Sequence, residues 1–301
     1  MKNKSKVKDL GKLANKRAFD IILVDALNYA NKYFYVFRNF KDKKGNKTGI
    51  IFGLLNAVFG WKKKYNPFKI VFCWDGPINI RKSFSDDYKS DRISKGDDFW
   101  QQIRSLREGL SFHFKKVEQW EAVGYEAEDI AAKAIKIYKD NSILLLTEDT
   151  DWFQLISDKV SVYRAKEVHD KKSIEQKVLD MHGIDLKFYY IFNIIYGVGH
   201  NNVQTALNKR TSKRIIQYLK DKNVALDELN ADDIINIIIL NKIPLTELQI
   251  KRIQENYKLV KLYNRGYKLL IQKGKQDAEQ FSKLCKRFNM NKLASTAKEV
   301  F

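Results

Sequence analysis

Three apolar runs in this chain each end in an aspartate. "FDIILVDA" (19–26) supplies Asp25, "FKIVFCWDG" (68–76) supplies Asp75, and "NSILLLTED" (141–149) supplies Asp149, with Asp151 two positions further on. A fourth stretch, "GYEAEDIAAKA", adds Glu126, Glu128 and Asp129, the first and last on one helix face by their i, i+3 spacing. Taken singly these acids have plain roles, since one before Trp152 and Phe153 caps a helix and acids in a first turn favour the helix dipole. Gathered in one cleft, seven carboxylates repel one another in a low dielectric, and divalent cations neutralise them. Hard oxygen ligands without cysteine or histidine suit Mg²⁺ or Mn²⁺. The chemistry to expect is hydrolysis of phosphodiesters, in which a divalent ion acidifies the attacking water and stabilises the leaving oxygen. No side-chain nucleophile is then needed. The sequence holds no Ser/His/Asp arrangement, no Walker phosphate loop and no spaced His/Cys set. Its histidines, 113, 169, 182 and 200, are scattered and read as structural or surface residues.

Between Asp75 and the next helix, "GPINIRKSFSDDYKSDR" interleaves Arg81, Lys82, Lys89 and Arg92 with Phe84 and Tyr88. Cations of this kind hold a scissile phosphate and rings of this kind stack on unpaired bases, although a solvated loop fits the same composition. Charge points the same way. Lys+Arg 56 against Asp+Glu 36 leaves +20, which favours a polyanionic partner through counterion release, nucleic acid before an anionic membrane or mere solubilisation. Cys73 and Cys285 lie far apart, which fits a reduced intracellular protein, excludes a cysteine zinc cluster and suggests packing roles. The basic N-terminus has no apolar signal core and no apolar run spans a bilayer, so no membrane partner and a cytoplasmic location are expected.

To converge, the acids need strands that point the same way. The three runs are short, apolar and without strict alternation, as in strands buried on both faces of a parallel sheet. Helices are expected over about 49–64, 96–112 and 126–139 between them, giving right-handed βαβ units and a further edge strand at "KVSVYRAK" (159–166). Open α/β sheets place their ligands at the carboxyl edge. After about residue 172 the pattern turns helical through "SKRIIQYLK", "DDIINIIILN" and a long helix "LTELQIKRIQENYKLVKLYNRGYKLL" after Pro244.

The ordered set of motifs resembles the 5′-nuclease superfamily of flap endonucleases and 5′→3′ exonucleases, and within it the phage ribonuclease H group of T-even type. "LVDALNYA" and "CWDG" are similar to the family's first two acidic strands, "YKSDR" to its Tyr-Lys-x-x-Arg element, "GYEAEDIAA" to its Glu-Ala-Asp-Asp helix start and "TEDTDWFQLI" to its third acidic strand end. The likeness spans about residues 19–210.

This resemblance implies a PIN-like, mostly parallel α/β domain over 19–171 with an arch at about 82–115. A basic extension over 1–18 precedes it and a helical, helix-hairpin-helix-like domain over 172–301 follows. It implies Asp25, Asp75, Glu126, Glu128, Asp149 and Asp151 as ligands of Mg²⁺ or Mn²⁺, directly or through water, with Asp129 near them. Arg81, Lys89 and Arg92 become phosphate contacts. The implied reaction is metal-dependent release of short products from 5′ ends of RNA primers and DNA flaps, in phages during lagging-strand synthesis. The implied partners are flap DNA or RNA–DNA hybrid and replication proteins such as a single-strand-binding protein or clamp, with the chain a monomer in the host cytoplasm. One departure stands out. Where the family has Gly-Asp-x-x-Asp-Asn, this chain reads "YGVGHNNVQTAL", with Val198 and Asn201 in the places of the aspartates. An alternative register matches "YGVG" to a phosphate-gripping hairpin, with Gly197, Gly199 and Lys209 on the nucleic acid. No Asp or Glu occurs from Leu186 through Lys220 in either case. One well-formed metal site and a weak or empty second one are therefore expected, with a weakened enzyme that binds flaps or forks as the alternative, and a PIN-like ribonuclease on folded RNA a less favoured third.

Overall fold

A computed structural model describes residues 18–113, 116–226 and 229–296. The expected basic extension falls outside them apart from Ala18, as do positions 114 and 115 of the expected arch. The strands are β1 (Ile21–Asp25), β2 (Lys69–Cys73), β3 (Val117–Glu121), β4 (Ile143–Leu146), β5 (Val160–Arg164), β6 (Glu167–His169) and β7 (Leu270–Lys273). They form one sheet in the order β6-β5-β4-β1-β2-β3-β7. The five middle strands run parallel, and β6 and β7 close the edges antiparallel.

Helices α1 (Ala26–Val36), α2 (Gly49–Tyr65), α3 (Asp97–His113) and α4 (Ala127–Ile137) belong to the first half of the chain. They are followed by α5 (Lys171–His182), α6 (Tyr189–Tyr196), α7 (Lys209–Asp221), α8 (Ala231–Leu240), α9 (Glu247–Val260), α10 (Ala278–Arg287) and α11 (Asn291–Thr296). Alternation along the strands explains their unbroken apolar runs. Ile21, Leu23, Val71, Cys73, Ile143 and Leu145 face a core shared with α4 and the helical half, while Ile22, Val24, Ile70, Phe72, Leu144 and Leu146 face one shared with α2, α3 and α10. Cys73 and Cys285 are both free and buried in these cores.

Three elements differ from the sequence-based expectation. β3 lies outside the sequence-based expectation, because "VEQWE" holds three polar residues in five, with Glu118 and Gln119 adjacent, and so shows neither an apolar run nor strict alternation. The "KVSVYRAK" strand is not the edge, since β6 pairs outside it. The long helix after Pro244 stops at Val260, where Lys261 is extended, and Gly266 has a φ of +79° in the loop that follows. Beyond it, β7 pairs with β3, and Phe281, Leu284 and Cys285 of α10 enter the core beside α2 and α3. This stretch, expected in the helical half, therefore packs on the α/β sheet. The expected arch is not one free segment either, because Phe99, Ile103, Leu106 and Leu110 of α3 are buried in the same core. Ile93, 88% exposed, lies in the stretch before it.

Candidate metal centre

The parallel strands send their carboxyl ends to one edge, and the order reverses at β1, which lies between β2 and β4. A crevice at such a switch point is where open α/β sheets hold ligands. Asp25 ends β1 there and caps α1, its carboxylate accepting the Asn28 N–H at 3.2 Å and the Thr147 hydroxyl at 2.8 Å. Asp75 lies two residues past β2 and accepts the Ala127 N–H at the start of α4 at 2.8 Å. Gly76 makes that reach possible, because a Cβ there would lie 2.0 Å from the Ala122 carbonyl oxygen. Asp149 caps the short 3-10 helix Thr150–Leu155 and accepts the Asp151 N–H at 2.9 Å. Trp152 and Phe153 anchor that turn in the core.

At the head of α4 the three acids part company. Asp129 is fully buried and accepts both Arg81 terminal nitrogens, at 2.6 and 2.9 Å, together with the N–H groups of Glu126 and Tyr263. Its oxygens are taken up, so a place beside an ion, expected for it, does not fit. Arg81 is likewise buried at 0% exposure and also donates to the carbonyls of Leu259 at 2.8 Å and Lys261 at 3.1 Å. The expected phosphate contact is therefore corrected: Arg81 clamps α4 to the end of α9. Glu126 accepts Asn79 and the Tyr88 hydroxyl, each at 2.9 Å, pairs with Lys89, and faces Arg81 at 3.0 Å. Burial would raise its pKa, but Lys89 and Arg81 outweigh it and hold the carboxyl at about 2. Tyr88, at 2% exposure, is thus a buried donor and not a stacking platform.

The other acids are undercompensated. Burial, then the charge of Asp75, pushes Asp25 up to about 7, and burial with the charge of Asp149 pushes Asp151 up to about 6. Burial and the charge of Glu126 likewise raise Asp75 and, well above the usual range, Glu128. The Lys89 ammonium lies 4.0 Å from Glu128, and the residue sits in the left-handed region at φ +54°, an uncommon conformation for a side-chain-bearing residue. A set of buried oxygen ligands whose repulsion lifts several pKa values at once fits a divalent cation. Asp25, Asp75, Glu128, Asp149 and Asp151 are the groups with charge left to offer it.

The acid-free segment closes the other side. Asn201, 2% exposed, donates to Asp151 at 2.5 Å, accepts from Arg92 at 3.1 Å, and its carbonyl accepts the Lys89 N–H at 3.2 Å. His200, one of the scattered histidines that the sequence suggests are structural or surface residues, lies with Nε2 3.9 Å from a carboxylate oxygen of both Asp149 and Asp151. The one sequence signal was its place beside Asn201 in a stretch lacking acids. Lys82 is exposed, and Phe84 is partly buried under Lys258, whose Nζ is 5.4 Å from the ring centre. Gly197 (φ +88°) and Gly199 line an open depression after α6, and Lys209 starts α7 with its ammonium on the Met181 carbonyl at 3.0 Å.

Comparison with known proteins adds sequence and fold relationships. Residues 20–180 match the family model described as "5′-3′ exonuclease, N-terminal resolvase-like domain". A "5′-3′ exonuclease" of Buchnera aphidicola from Schizaphis graminum is 29% identical over 194 residues, 61% of this chain and 64% of the relative. This chain thus spans a little under two thirds of that relative. The T5 D15 protein crystallised with metal ions superposes with a TM-score of 0.60 at 15% identity, over 93% of this chain and 98% of that one. Human GEN1 in complex with Holliday junction DNA gives 0.55 at 16% identity, over 96% and 72%. At these identities the two structures establish the shared fold.

Proposed function

The chain belongs to the 5′-3′ exonuclease family, and we propose that it is a divalent-metal-dependent phosphodiesterase acting on the 5′ ends of DNA flaps and RNA primers. The observation that carries this reading is the gathering of Asp25, Asp75, Glu128, Asp149 and Asp151 at the carboxyl edge of the sheet's switch point, where burial and neighbouring charge raise Asp25, Asp75, Glu128 and Asp151. Mg²⁺ or Mn²⁺ bound there supplies charge neutralisation and activation of water. The protein's own groups do the rest. Thr147 and Asn28 aim Asp25, the Ala127 N–H aims Asp75, and Asn201 aims Asp151. Lys89 and Arg92, which reach this crevice from the loop after β2, are the proposed phosphate contacts, while Arg81 positions Glu126 and Asp129. The +20 charge and the basic face of α7 (Lys209, Arg210, Lys213, Arg214) support a nucleic-acid partner. The metal-ion and DNA complexes named for the two fold neighbours agree with this reading.

A specific observation favours a second reading, of a flap-binding protein with little cleavage. In the register that sets Val198 and Asn201 in the places of the family's aspartates, a second site lacks two carboxylates, and Asn201 is already committed to Asp151 and Arg92. A labelled 5′-flap and an RNA-primed duplex, incubated with Mg²⁺ or Mn²⁺, separate the two. Cleavage that Asp149→Ala lowers by about 100-fold or more is expected, since several kcal/mol of transition-state stabilisation are at stake. Equal background cleavage by both proteins with tight flap binding retained would reject the enzyme.

A further inference from the structure

The crevice contains a base that the oxygen-only ligand set leaves out. Among the described residues, the basic side chain within 4 Å of both Asp149 and Asp151 is that of His200 alone, whose Nε2 is 3.9 Å from Oδ1 of each. One ligand atom from each of the three lies within 4.8 Å of the others. An ion held at about 2.0–2.2 Å by two donors separates them by no more than roughly 4.4 Å, a span that both 3.9 Å approaches of Nε2 already meet. The His200 side chain is 53% exposed, which leaves the ring room to adjust to an ion. Asp151 already presents the right oxygen, because its Oδ2 accepts the Asn201 amide at 2.5 Å and leaves Oδ1 toward His200. Asn201 is held in turn by Arg92 and by the Lys89 N–H. A carboxylate oriented by a hydrogen-bonded partner, which is itself oriented, is the outer shell that metal centres use.

We propose that Asp149, Asp151 and His200 form a nitrogen-containing metal site, with Asn201 as its positioning residue. Imidazole suits first-row transition ions over Mg²⁺, with Mn²⁺ at the weak end of that series, so His200 replaces missing carboxylates with a softer donor and shifts this position toward that class. The inference rests on the metal-dependent reading above, but its test does not require cleavage.

Metal-free protein of all 301 residues is titrated with Mn²⁺, free ion is counted by electron paramagnetic resonance, and the bound ion is probed by pulsed resonance for ¹⁴N coupling. The wild type is expected to show imidazole nitrogen coupling. His200→Ala loses the coupling and one ion's worth of binding, with far-UV circular dichroism unchanged. His200→Asp keeps the ion, loses the nitrogen signal and lets Mg²⁺ compete better. Asn201→Ala keeps the signal but weakens Mn²⁺ binding about 10–100-fold. Absence of ¹⁴N coupling in the wild type, failure to bind Mn²⁺, or coupling that survives His200→Ala overturns the site. Coupling without flap cleavage overturns the proposed enzyme and leaves the metal site standing, and cleavage without coupling does the reverse.

Discussion

Asp25 and Asp151 are held by their surroundings in opposition to Glu126. The first two are raised to about 7 and about 6 by burial and by neighbouring carboxylates, whereas Lys89 and Arg81 bring Glu126 to about 2 despite its burial. For a carboxyl whose folded pKa is raised, the folded state binds the extra proton, so stability is present at low pH and lost as pH rises from the unfolded range, about 4, through the folded value. Glu126 acts in the opposite sense, but only below about 4. Chelator-treated protein is therefore expected to lose several degrees of Tm between pH 5 and 8, and saturating Mn²⁺ to flatten the slope. A metal-free Tm that holds or climbs over that interval would contradict the electrostatics. Arg81 makes a second prediction. Its removal strands Asp129 without a counterion and leaves the Leu259 and Lys261 carbonyls unpaired, so Arg81→Ala should cost about 3–5 kcal/mol in urea unfolding. Arg81→Lys should recover little, lacking the bidentate fork. A loss under 1 kcal/mol would show that the clamp is dispensable.

At the scale of elements, the acids are placed by the turns that end the strands. The loop after β2 delivers Asp75 to α4 because Gly76 lies against the Ala122 backbone and donates its N–H to the Tyr125 carbonyl at 2.8 Å. Gly76→Ala puts a methyl group 2.0 Å from a backbone oxygen, which no side-chain rotation relieves. We expect a stability loss of about 1–3 kcal/mol together with weaker Mn²⁺ binding by calorimetry. Unchanged affinity in the substituted protein would mean that Asp75 is not held by this approach. The 3-10 turn after β4 is local in comparison, because Asp149 caps it and the next two residues pack under it.

At the scale of the molecule, the end of the chain completes the first half. β7 covers the β3 edge, and Phe281, Leu284 and Cys285 fill the core between α2 and α3. A chain stopped at Leu269 exposes an unpaired strand edge and a row of apolar side chains, so it should aggregate or melt without cooperativity. A soluble monomer with an unaltered Tm on sizing and calorimetry would refute this dependence.

Strand-ending aspartates, the parallel α/β sheet and the acid-rich helix start were legible in the sequence because each is a local pattern: an apolar run buried on both faces, a cap, a turn of helix. The resemblance added their order. The roles of Arg81, Tyr88, Asp129 and His200 were not legible, because each depends on partners 38 or more positions away in the chain, from Glu126 for Tyr88 to Lys261 for Arg81. Residue type determined that these groups are charged or polar. Only the tertiary structure decided which charges cancel in the interior and which remain facing the crevice, because burial and charge separation are properties of the packed chain.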